Sequence, residues 1–203
     1  IRPNRVSDPR IRHAMRTLPR EHFLPPELAH LAYGDEDVAL PGGRALMEPL
    51  VIARLVQLAA PGAGERALVV AAGTGYGAAL LAACGAHVVA LEEDAGLRAI
   101  ARSALMRAGL AVRLVEGRLA EGWPAEAPYD LVFIEGAVCE IPPAVAAQVK
   151  REGGRLVTVL AAGGGLRHAV LAEPSIGGVR CQPRFDCATP FLPSLLPKPG
   201  FVF

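Results

Sequence analysis

Five consecutive residues, Gly73-Thr74-Gly75-Tyr76-Gly77, and one acid, Glu92, have the types and spacing to hold a ligand. Glycine reaches backbone conformations closed to other residues and lets the main chain approach a bound group closely. Where such a run opens a helix, its first free N–H groups face a carboxylate or phosphate. Glu92 lies 19 residues beyond Gly73, the interval at which an acid closing the next strand can accept both hydroxyls of a ribose. Together they describe a cradle for a nucleotide-like ligand. Gly73-x-Gly75-x-x-Ala78 also meets the dinucleotide fingerprint, in which alanine replaces the last glycine. In that class the motif opens the domain and a second mononucleotide half follows. Here about 65 residues precede the strand that carries it, which favours S-adenosylmethionine over NAD(P).

The elements around these residues alternate. Ala67-Leu68-Val69-Val70 is a short apolar run without polar alternation, as expected for a parallel strand covered on both faces. A helix is expected over 76–84, a strand over 87–91, a helix over 94–108 and a strand at Val112-Arg113-Leu114-Val115. Leu131-Val132-Phe133-Ile134 reads as another buried strand, Pro142 to Val149 as a helix and Arg155 to Val159 as a fifth strand. Weaker strand signals lie near 168–172 and 178–185. This rhythm implies a doubly wound sheet with right-handed crossovers, whose ligands sit at the carboxyl ends of the strands. Residues 1–45 read as a helical extension packed on the core. Asp8 and Pro9 open an amphipathic stretch (Ile11, Ala14, Met15, Leu18), Pro25 and Pro26 start a second short helix, and Pro41-Gly42-Gly43 makes a loop. Glu48-Pro49 then opens a helix carrying Leu50, Val51, Leu55, Val56 and Leu58.

The 203 residues are 52% hydrophobic and 20% charged, ample for one core. With 21 basic and 20 acidic residues the formal charge is +1, which gives no pull toward nucleic acid or anionic membrane. No apolar run is long enough to span a bilayer. Ile1 at the start implies that residues have been trimmed from the N-terminus. Cys84, Cys139, Cys181 and Cys187 show no metal-type spacing. They are expected as buried free thiols in a reducing cytoplasm, with a Cys181–Cys187 bridge as the alternative. No metal is expected, and the oligomeric state is left open. Among the histidines, His22 reads as packing in a loop, His87 and His168 as structural residues on strands, and His13 and His30 as solvated. Phe201-Val202-Phe203 is either a docking peptide or a tail packed over its own sheet.

With these strings in order, the chain resembles the protein-L-isoaspartate O-methyltransferase family over nearly its whole length. Leu18-Pro19-Arg20-Glu21-His22-Phe23-Leu24-Pro25 is similar to the family's V-P-R-x-x-F-V-P, and Ala32-Tyr33-Gly34-Asp35 to its A-Y-x-D. Gly43 through Pro49 stands where the family has G-Q-T-I-S-Q-P. Trp123-Pro124, Ala127-Pro128-Tyr129-Asp130 and Gly153-Gly154-Arg155-Leu156-Val157 continue the match. The resemblance implies a Rossmann-like methyltransferase sheet of about seven strands in an α/β domain spanning 46–203. It also implies S-adenosylmethionine as cofactor, bound by Gly73, Thr74, Gly75, Tyr76, Glu92 and Gly117. The implied partner is a damaged protein or peptide offering a free isoaspartyl carboxylate. Such a carboxylate is ionised at pH 7 and the sulfonium methyl is already activated, so the enzyme has mainly to align them.

The departures fall on ligand-facing positions. Where the family reads E-I-G-T-G-S-G-Y, the chain has Val69-Val70-Ala71-Ala72-Gly73-Thr74-Gly75-Tyr76; where it reads G-D-G, the chain has Gly117-Arg118-Leu119. Leu46-Met47-Glu48 takes the place of the family's serine loop, and no catalytic side chain is assigned. Two lost acids, each contributing about 1.5–3 kcal/mol, correspond to roughly two to four decades of affinity. Weakened or altered cofactor binding is therefore expected, and a repurposed binding module is the alternative function. New acids at Glu48, Glu93 and Glu135 suggest that polarity has been redistributed around the crevice.

Overall fold

The computed structural model describes residues 6–162 and 165–197; Phe201-Val202-Phe203 lies outside them. Asp8 caps α1 (Pro9–Thr17) by accepting from the Arg10 amide at 2.8 Å, and Pro9 in the first turn has no N–H to leave unpaired. The second short helix is a 3-10 helix over Pro26–Leu31. A hairpin absent from the expected helices and loops follows: β1 (Val38–Leu40) pairs antiparallel with β2 (Arg44–Leu46) across Pro41-Gly42-Gly43. Three-residue strands are too short to display alternation. Next, α2 (Pro49–Ala59) buries Val51, Ile52, Ala53, Leu55, Val56 and Ala59.

The core sheet contains β3 (Arg66–Val70), β4 (His87–Leu91), β5 (Val112–Val115), β6 (Leu131–Val138), β7 (Arg155–Ala161), β8 (Arg167–Ser175) and β9 (Gly178–Asp186). Its order is β5-β4-β3-β6-β7-β8-β9. The first five are parallel; β8 and β9 run antiparallel, closing the edge as a hairpin. Between β3 and β4 lies α3 (Tyr76–Ala83), and between β4 and β5 lies α4 (Ala95–Arg107).

Two boundaries differ from expectation. β6 continues past Ile134 through Glu135 to Val138, with all eight residues buried. The helix expected from Pro142 to Val149 is reduced to α5 (Pro143–Ala146). Gln148 draws the chain out of the helix: its side chain accepts from the Trp123 amide and donates to the Glu121 carbonyl, and its own carbonyl accepts from the Tyr129 amide.

Alternate residues along each strand enter two cores, as the period of two requires. Ala67, Val69, Leu131, Phe133 and Val157 pack against α1–α4, whereas Leu68, Val70, Val132, Ile134 and Leu156 pack with Leu119, Val145 and Leu192 on the other face. Strand order turns at β3, which has β4 on one side and β6 on the other. That switch point is where an open α/β sheet leaves a crevice at its carboxyl edge.

Candidate functional site

β3 ends at Val70 and the chain enters the crevice through Ala71–Gly75. The Ala72 amide donates to the Leu91 carbonyl at 3.0 Å, and the Gly75 amide turns back to the Ala72 carbonyl at 2.8 Å. Gly75, at φ +91, could not be replaced cheaply: a Cβ there would also stand 3.1 Å from the Ala101 Cβ of α4. Ala71 adopts φ +62 with a side chain in place.

Glu92 follows β4 and is fully buried. Its Oε2 accepts from the Gly73 amide at 2.7 Å, and its Oε1 accepts from the Asp94 amide at 3.0 Å. The glycine loop and Glu92, expected from their spacing to serve one ligand, are in direct hydrogen-bond contact. A further partner was not foreseen. Arg44, on β2 and itself buried, donates from Nη1 to Glu92 Oε1 at 3.0 Å and from Nη2 to the Ala71 carbonyl at 2.7 Å. A carboxylate has about four lone-pair positions. Three are taken on Glu92, and a ribose diol needs two. With Arg44 in this position, the residues present do not fit a nucleoside at Glu92.

The other expected site residues divide. Thr74 is buried in the loop and its Oγ1 has no hydrogen-bond partner, an open valence inside the cradle. The Tyr76 ring is packed edge-on to Phe23 with centroids 5.1 Å apart and covered by the Arg20 guanidinium at 4.9 Å. Burial, against the pull of Arg20, raises its hydroxyl to about 12. Tyr76 therefore brings its helix-starting backbone to the site while its ring serves packing. Gly117, beyond β5, leaves space beside Leu91 and Trp123, where a Cβ would stand 3.1 Å from Leu91 Cδ1. Arg118, facing the pocket in expectation, is mostly exposed and pairs with Glu121 at 3.1 Å.

Leu46 and Met47 are core residues, and the Met47 carbonyl accepts from Arg20. The Glu48 amide donates to Asp37 at 2.7 Å; burial and the neighbouring Asp37 and Asp35 push its carboxyl upward. Glu93 is exposed. Glu135 is the new acid that faces inward. It lies against the first turn of α3, where a Cβ at Gly77 would stand 2.4 Å from its Oε2, and that oxygen has no hydrogen-bond partner. Burial raises its carboxyl to about 8, opposed by Arg44, the Gly77 amide and Arg20, and assisted by Glu92. A small cavity of about 10 Å³, lined by Arg44, Met47, Glu135, Thr189 and Leu192 among others, adjoins it.

Arg44 and the strap around Thr189 and Leu192 are the site components missed in the sequence. The strap lies over β6: the Leu192 amide donates to the Ala137 carbonyl at 2.8 Å, and the Ala137 amide to the Pro190 carbonyl at 3.0 Å. No local pattern marks either, since an arginine after two glycines reads as a solvated loop residue. A separate groove of about 420 Å³ is lined by Arg12, Met15, Arg16, Arg20, Tyr33, Pro49 and Tyr76. Among the described residues, no group of His, Cys, Asp and Glu could hold a metal ion, the four cysteines are free, and no helix is long and apolar enough to cross a membrane.

A parallel sheet turning at β3, a glycine loop leading into α3, an acid closing β4 and a terminal antiparallel hairpin together make a Rossmann-like methyltransferase fold. A solved protein-L-isoaspartate O-methyltransferase shares it with a TM-score of 0.78 at 25% identity, over 93% of this chain; the chain spans 62% of that protein's length. The protein-L-isoaspartate O-methyltransferase of Methylorubrum extorquens (strain PA1) is 39% identical over 159 residues, covering 78% of this chain and 70% of the relative. Protein-L-isoaspartate O-methyltransferase 1 of Rhodopseudomonas palustris (strain HaA2) is 34% identical over 183 residues, covering 89% and 74%. The family model for protein-L-isoaspartate(D-aspartate) O-methyltransferase matches residues 1–172, and the chain belongs to that family.

Proposed function

We propose that this chain is an S-adenosylmethionine-dependent O-methyltransferase acting on the stray carboxylate of isoaspartyl residues in damaged protein. The observation that carries this reading is the Gly73 amide on Glu92 at the switch point, in a chain of this family. Gly73, Thr74, Gly75 and Gly117 would surround the cofactor, with Tyr76 offering only its backbone and Glu92 open to it only where Arg44 has left. When bound, the cofactor would supply an activated methyl group. The chain's own task is then to align and to exclude water, since the acceptor carboxylate is already ionised and needs no base. Because Arg44 occupies Glu92, no further step is assigned to the cradle.

Arg12 and Arg16 give the separate groove a positive wall beside Pro49 and Tyr76, while Arg20 is buried beneath it. Two accessible guanidiniums, Arg12 and Arg16, beside an apolar floor of Met15 and Pro49 suit a peptide carrying an extra carboxylate. The free thiols agree with a reducing compartment, the cytoplasm.

The test is methyl transfer from S-adenosylmethionine to two peptides that differ only in an isoaspartyl or an aspartyl residue. The expected result is a methyl ester on the isoaspartyl peptide alone; no ester on either would overturn the proposal. Arg44 on Glu92 favours one other reading, a family member that has kept the fold as a ligand- or protein-binding module without turnover. Absence of esterification despite tight binding of the isoaspartyl peptide would select it.

A further inference from the structure

We infer that Arg44 is a displaceable occupant of the nucleoside position, and that Glu135 is the seat that receives its guanidinium when an S-adenosyl ligand claims Glu92. This rests on the S-adenosylmethionine reading of the crevice.

Register places the three groups. Val70, the last residue of β3, pairs with Leu91 on one side and with Ile134 on the other. Ala71 therefore has Glu92 as its next neighbour beyond β4 and Glu135 as its next neighbour in β6. Glu92 and Glu135 each directly follow the residue that pairs with Val70, so the two acids stand on either side of the chain as it leaves β3. Arg44 is anchored between them, with Nη2 on the Ala71 carbonyl and Nη1 on Glu92. With Nη2 on the Ala71 carbonyl, the guanidinium is held where the two acids meet the loop, and the transfer moves its other nitrogen from Glu92 toward Glu135.

The receiving side is prepared. Glu135 Oε2 is a buried oxygen with no hydrogen-bond partner, on a residue 7% exposed. Arg44 and Glu135 line the same small cavity. A buried carboxyl oxygen left unpaired is costly, and the guanidinium would satisfy it. The donating side is equally specific. Glu92 has too few free acceptor positions for a ribose while Arg44 is present, and it keeps its two amide donors when Arg44 leaves. Burial pushes the Glu135 carboxyl upward with Arg44 on Glu92; arrival of the guanidinium favours its ionised form.

The inference makes the two positions thermodynamically coupled. Isothermal titration with S-adenosylhomocysteine would be carried out on the wild type, Arg44→Gln, Glu135→Thr and the double variant. Removing the competitor in Arg44→Gln should tighten binding by about 10-fold or more. Removing the seat in Glu135→Thr should weaken it by a similar factor, because Arg44 then has no second carboxylate to move to when it leaves Glu92. In the double variant the loss at 135 should disappear, leaving affinity within about 3-fold of Arg44→Gln. Melting temperatures control for folding. Should Glu135→Thr fail to fold, Glu135→Gln keeps the size and removes the charge. Affinity unchanged by either single substitution, or effects that simply add, would overturn the inference while leaving the S-adenosylmethionine reading intact. No binding by any of the four proteins at millimolar ligand would overturn both.

Discussion

Ala71 is the residue where local strain and the site coincide. An L-residue at φ +62 pays about 1–2 kcal/mol that glycine does not; glycine returns roughly 0.4–1 kcal/mol through the greater freedom of its unfolded chain. Ala71→Gly should therefore stabilise the protein by about 0.5–1 kcal/mol, read as a shift in the urea midpoint at unchanged m. Glu135 supplies a pH signature. Its carboxyl rises from an ordinary 4.5 to about 8 in the folded protein, through burial first. The folded state then binds more protons than the unfolded one between those values, and stability falls as pH rises from about 4.5 to about 8. The groups facing it are Arg44 from β2, the Gly77 amide from α3, Arg20 from the N-terminal segment and Glu92 beyond β4. Glu135→Gln should flatten melting temperature across that window; a slope equal to the wild type's would show that Glu135 is not its source. At this scale the sequence was partly legible. Gly73 and Glu92 could be paired because their spacing follows from a strand-helix-strand unit. Arg44 could not, because its partner is 48 residues away and joins it only through the β1–β2 hairpin.

Among elements, the α3–α4 contact is set by a glycine. Gly75→Ala would combine positive φ with a 3.1 Å approach to Ala101 Cβ, and should cost about 2 kcal/mol or more, measured by thermal unfolding. The strap over β6 depends on Leu192, which is 4% exposed and lies where Gly136 leaves room: a Cβ on Gly136 would stand 2.4 Å from Leu192 Cγ. Leu192→Ala should destabilise by about 2–4 kcal/mol in equilibrium unfolding. The buried parallel strands were legible because their apolar runs are unbroken, as in Ala67–Val70 and Leu131–Ile134. β6 was read too short because a charged Glu135 looks like a strand end. α5 was read too long because its termination comes from Gln148 bonding to Trp123 and Glu121, contacts remote in sequence.

For the whole molecule, the N-terminal segment and the sheet share one core: Ile11, Ala14 and Phe23 belong to the same buried cluster as Val69, Phe133 and Val157. We propose that residues 1–45 and the sheet unfold as one unit, so that a ligand held at the switch point stabilises both together. Family and fold were legible because many short strings occur in one order, whereas the state of the crevice depends on a single side chain from the hairpin. The most direct measurement is thermal unfolding of the wild type with S-adenosylhomocysteine or NAD. At 100 times its dissociation constant a ligand adds about 2.7 kcal/mol. A single transition that rises with S-adenosylhomocysteine and stays fixed with NAD is the predicted result. A transition that moves with NAD, or that S-adenosylhomocysteine leaves unmoved at millimolar concentration in both the wild type and Arg44→Gln, would contradict the account.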